Sequence, residues 1–237
     1  MAGPADRHDD DRDDSGDVDA LFALVLSGCG AAHQKLLDTV AATGLDAVGR
    51  PSLLPDWTVG HVLTHLARNA DSHTRMLEAA ARGEHVEQYP GGHEQRADDI
   101  ATGAQRAPAV IVADLEEATA ALEASWAAMP DGAWDGWGLS MGRPWPCRQI
   151  VFHRWREVEL HHADLGLGYG PADWPEDYVA LELPLALEQL PRRLDEGGRH
   201  ALFAWLVGRG DAPMELELAP WQTVSYQRGP WPGRRPG

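Results

Sequence analysis

The chain has 237 residues, 43% of them hydrophobic, enough for one substantial core or a main domain with a smaller appendage. Its net charge of −17, from 37 acidic against 20 basic residues, argues against nucleic acid and against an anionic membrane surface, since both are met by clustered Lys and Arg. Two cysteines, Cys29 and Cys147, exclude a disulfide framework and a Cys-based zinc motif.

Residues 1–19 hold eight Asp and two Arg with almost nothing apolar to fold around, and residues 1–17 are expected to form a disordered acidic tail. That start lacks the cationic and apolar regions of a signal peptide, and no later stretch reads as a membrane span. A soluble, cytoplasmic protein is expected. From Val18 to about Thr43 the pattern predicts a first helix, closed by Gly44. A loop containing Pro55 and Asp56 leads into a long helix over about 57–82, whose apolar arc carries Val59, Val62, Leu63, Leu66, Ala70 and Leu77. His73 lies on that arc and His65 at its edge. A third helical region runs from about Glu94 to Met129, interrupted near Pro108. The Gly-, Pro- and Trp-rich stretch 130–147 predicts a loop or short hairpin before a fourth helix over 148–165.

On that fourth helix, at roughly 100° per residue, Ile150, Arg154, Val158 and Leu165 share a face with Glu157 and His161. Phe152, Arg156 and Glu159 fall on the opposite side. An i,i+4 spacing brings two side chains to about 5–6 Å at Cβ, which suits either an ion pair or two ligands of one divalent metal. Taken alone, the motif favours the ion pair. Four helices with an embedded polar cluster point to a bundle over 18–166. Residues 167–237 read as a small α+β C-terminal domain: a linker, helices near Tyr178–Leu194 and His200–Gly210, and an alternating strand pattern in MELELAPWQTVSYQ.

The string DWTVGHVLTHLARNAD (56–71), followed later by RWREVELHHADLG, resembles the mycothiol-dependent maleylpyruvate isomerase family of DinB-like metal-binding helical bundles. The later LFAWLVGRGDAP resembles that family's C-terminal domain. The resemblance implies that His65, Glu157 and His161 bind a divalent metal, usually zinc, leaving a fourth position for water or a thiol. A metal-held thiol is stabilised as thiolate, and the implied reaction is addition of mycothiol to a cis double bond, rotation and elimination. It further implies a functional arginine in the C-terminal domain, for which Arg209 is the favoured candidate and Arg68 and Arg82 are weaker ones.

Other readings stay open beside these. His73 is a rival to His65, and Arg154 has Glu157 within reach as an ion-pair partner. His61 reads as a surface or supporting residue, Cys147 as structural, and His153 and His162, at the border of the stripe, as solvent-exposed or else as orienting a ligand through a hydrogen bond. Trp126, Trp155, Trp205 and Trp221 read as packing residues. Trp134, Trp137 and Trp145 either wall a substrate pocket or pack across the bundle end. A mycothiol S-transferase and a non-catalytic metal- or thiol-binding protein are the alternatives to a maleylpyruvate isomerase.

Overall fold

The computed structural model describes residues 13–211 and 230–231. They divide into two compact units that meet in the chain between Trp174 and Pro175. The first contains α1 (Asp13–Thr43), α2 (Val59–Ala81), α3 (Gly92–Gly103), α4 (Pro108–Ala128), the strands β1 (Trp137–Ser140) and β2 (Arg143–Pro146), and α5 (Cys147–Asp164). The second contains α6 (Glu176–Arg193) and α7 (Glu196–Leu206).

Four helices close the bundle: α1 packs on α5 and α4, and α2 packs on α4 and α5, so each helix has two neighbours. The remaining helix of this unit, α3, lies outside the ring against α2. The antiparallel β1–β2 hairpin pairs Trp137 with Pro146 and Ser140 with Arg143, and its turn places Met141 and Gly142 in the left-handed region. It packs on α2 through β1 and on α5 through β2, covering one part of the bundle.

The long helix α2 starts where Thr58 caps it. The Thr58 side chain accepts from the backbone N–H of His61, and His61 Nδ1 accepts from the Thr58 N–H at 3.2 Å. His61 is thus a capping residue. All six apolar positions expected on the α2 arc are buried. Pro108 opens α4 at its first turn, where its missing N–H costs nothing.

Several expectations are corrected. The helix α1 begins at Asp13, ahead of the expected start at Val18, and residues 1–12 of the expected tail lie outside the described residues. By length and composition α1 is also apolar enough to cross a membrane, yet it carries Val25, Cys29 and Leu36 fully buried. The largest change concerns α5, which has no solvent face: Phe152, Arg156 and Glu159 are as buried as Ile150, Arg154 and Val158. Helices α1 and α2, residues 131–135 and β2 pack against it, and a single apolar stripe was the wrong description. His153 and His162, expected in solvent, are buried for the same reason.

Charges inside such a helix need partners. Arg154 donates through Nε to His33 Nε2 at 2.9 Å and through Nη1 to Leu66 O and Asn69 Oδ1 at 2.8 and 2.9 Å. It anchors α5 to α1 and α2 rather than pairing with Glu157. Since guanidinium only donates, His33 Nε2 is the unprotonated nitrogen and Nδ1–H donates to Glu123 at 2.8 Å. Glu159 accepts from Trp155 Nε1 at 3.0 Å and from the Tyr169 hydroxyl, and its backbone carbonyl accepts from Trp174 Nε1 at 3.2 Å. These bonds hold residues 169–174 onto α5, and the first compact unit accordingly extends past residue 166.

In the second unit, Asp195 caps α7 by accepting from Gly198 N at 2.7 Å. Trp205, expected in packing, is exposed. Both the expected strand over MELELAPWQTVSYQ and Trp221 lie outside the described residues.

Candidate metal centre

Helix α2 presents His65, and α5 presents Glu157 and His161 one turn apart. Their ligating atoms all lie within 4.8 Å of one another. His65 Nε2 stands 2.9 Å from Glu157 Oε2, and His161 Nε2 stands 3.7 Å from the same oxygen. The two imidazole rings are nearly perpendicular, with centroids 4.6 Å apart. His65 and Glu157 are buried, while His161 is partly exposed. Trp57 stands edge-on to His65, with centroids 6.0 Å apart.

Hydrogen bonds fix which nitrogen faces inward. His161 Nδ1 is 2.8 Å from Asp164 Oδ2, so Nδ1–H donates to that carboxylate and the Nε2 lone pair points toward Glu157. On the other face, an Arg96 terminal nitrogen donates to His65 Nδ1 at 3.1 Å, which leaves the His65 proton on Nε2, directed at Glu157. His153, one turn before Glu157, brings Nε2 within 3.5 Å of Oε1. That oxygen has no hydrogen-bond partner among the described residues.

Electrostatics favour neutral imidazoles around an anionic carboxylate. Burial lowers His65 to about 4, with the neighbouring His161 adding to the shift. His153 is likewise lowered to about 4, chiefly by burial. Burial alone would raise the Glu157 carboxyl, but His153, His65 and His161 together outweigh it, and its pKa ends well below the ordinary value. Two imidazole nitrogens and one carboxylate oxygen converging at this range match the donor set of a three-ligand divalent metal site.

The other candidates fall elsewhere. His73 is fully buried away from the cluster, edge-on to Trp145 and His153 at 5.7 and 5.6 Å, with neither ring nitrogen hydrogen-bonded among the described residues. Burial holds it far below its ordinary pKa. Arg68 is paired with Asp71 and Asp114, and Arg82 with Glu84. Arg209, in the second unit, is exposed and donates to Val207 O at 2.9 Å. Cys147 is buried at the start of α5, where burial pushes its thiol up to about 12 and removes it as a nucleophile.

Of the hairpin tryptophans, Trp145 is buried edge-on to His153 at 4.8 Å, Trp134 packs against Phe22 at 4.7 Å, and Trp137 stacks on His85 at 4.2 Å. Arg96 and Asp164 carry no expectation from the sequence. Asp164 follows His161 by three residues, a helical spacing that marks it as a partner. Nothing in the sequence around Arg96 points to His65.

Residues 29–166 match the family model described as the mycothiol maleylpyruvate isomerase N-terminal domain. Two solved structures superpose with a TM-score of 0.63 over 76% of this chain and 72% of theirs. One, 28% identical, is a mycothiol-dependent maleylpyruvate isomerase, and the other, 27% identical, is a histidine-to-alanine mutant of an enzyme of that name. Among curated proteins no match is found. With more than half of the sequence inside the family match and the shared fold extending beyond it, this chain belongs to the mycothiol maleylpyruvate isomerase N-terminal domain family.

Proposed function

We propose that the protein is a metal- and mycothiol-dependent cis–trans isomerase acting on maleylpyruvate or a similar cis-enedioic acid. The observation that carries this reading is the convergence of His65 Nε2, Glu157 Oε2 and His161 Nε2 inside the segment that matches the family. These residues would hold a divalent metal, for which zinc suits two imidazoles and a carboxylate, and the metal would supply stabilisation of a thiolate at neutral pH. Asp164 holds His161 in the ligating tautomer, and His153 lies against the other oxygen of Glu157. The thiol is added to the double bond and returned after rotation, so the reaction consumes none of it.

The neutral imidazoles and the inert Cys147 leave the nucleophile to the small thiol, in keeping with a thiol-dependent activity. A reduced low-molecular-weight thiol assigns the reaction to the cytoplasm. We assign metal binding to the unit ending at Trp174, and retain Arg209 as a resemblance-based candidate for substrate binding in the second unit. Incubating zinc-loaded protein with mycothiol and maleylpyruvate and following the spectrum tests the reading. Conversion to fumarylpyruvate with the thiol recovered is expected. A thiol conjugate that accumulates makes the protein an S-transferase, and no turnover on either route overturns both enzymatic readings.

A further inference from the structure

Arg96 is the first-unit arginine that bonds a residue of the cluster directly. Arg68 and Arg106 are engaged by Asp114, Arg148 by Asp19, and Arg154 by His33, Leu66 and Asn69. Like Arg50, Arg75 and Arg143, Arg96 takes part in no ion pair among the described residues, although the chain carries a net charge of −17. Its guanidinium lies over the Tyr89 ring at 5.7 Å, a contact that steadies the planar cation without using its N–H donors. Its one hydrogen bond at the cluster goes to Nδ1 of His65.

That bond and a metal on His65 exclude each other. A cation at Nε2 needs the lone pair there, so the ring proton must move to Nδ1. Nδ1–H is then a donor, and a guanidinium has no lone pair to accept it. Metal loading therefore releases Arg96 from His65 and leaves its fork of donors free for another acceptor near the cluster.

We propose that Arg96 is the carboxylate-binding residue of the site, with His65 as its resting partner and a small dicarboxylate as its ligand. The inference rests on the metal-site reading above. It commits a residue of the bundle itself, in addition to the Arg209 candidate, to one carboxylate of the substrate. A half-buried arginine beside the cluster gives a bidentate carboxylate contact that lysine would make only as a point charge.

The test uses two probes on the whole chain, zinc alone and maleate, by elemental analysis and isothermal titration. Arg96→Gln is expected to take up zinc as the unmodified protein does while weakening maleate binding about ten-fold or more, with Arg96→Lys recovering part of the loss. Unchanged maleate affinity in Arg96→Gln overturns the proposal and leaves the metal site standing. Loss of zinc from Arg96→Gln also overturns it, because Arg96 would then only support His65. If the unmodified protein takes up zinc but not maleate, this inference alone falls; if it takes up no zinc, this inference and the metal reading fall together.

Discussion

Asp164 accepts the Nδ1 proton of His161 and leaves Nε2 as the nitrogen of that ring directed at Glu157. Asp164→Asn removes the anionic acceptor without changing size, and is expected to weaken zinc binding about 10–100-fold, read by competition against a chelating dye. His65→Ala, Glu157→Ala and His161→Ala each remove a donor from a three-ligand set. Elemental analysis should find each variant stripped of zinc, with helical content by circular dichroism largely kept. Full zinc occupancy in all three would sink the assignment. At this scale the sequence was informative where spacing is local: Glu157 and His161 share a helix, and His65 sits in a long string resembling the family. It was silent on Arg96, because the contact with His65 joins two helices and follows no periodicity.

Between elements, the crossing of α1 and α5 is set by size. The Trp155 indole lies so close to Gly28 that a Cβ at position 28 would run into the ring. Gly28→Ala is expected to destabilise the protein by about 1–3 kcal/mol through overpacking, seen as a lower Tm, whereas Gly30→Ala, whose Cβ would meet open space, should not. An equal Tm for the two variants would count against this crossing. Helix boundaries were legible because Gly and Pro punctuate them, as with Gly44 after α1 and Pro108 at the start of α4. The faces of α5 were not. Arg154, Arg156 and Glu159 read as solvent-facing or ion-paired with Glu157, and all three are buried.

Across the whole molecule, burial of histidine ties stability to pH. His33 on α1 and His162 on α5 are both lowered to about 4, mainly by burial, while in the unfolded chain they return to about 6.5. Between those values the unfolded state binds more protons, so stability is fully present above about pH 6.5 and declines as pH falls toward about 4. With chelator present to remove any metal contribution, Tm should drop between pH 7.5 and 5. A flat Tm over that interval would contradict the buried neutral state of these imidazoles.

The order and approximate ends of the helices, the hairpin before α5 and the local Glu157–His161 pair were determined by sequence alone, because turn residues and helical spacing act over a few residues. Tertiary structure decided that α5 is buried on both of its faces, that Arg154 bonds across to α1 and α2, and that His153 and His162 are buried. It also brought Arg96 to His65. Periodicity reports one apolar face and cannot register a helix surrounded by neighbours, where charged side chains are stable only through partners far away in the chain.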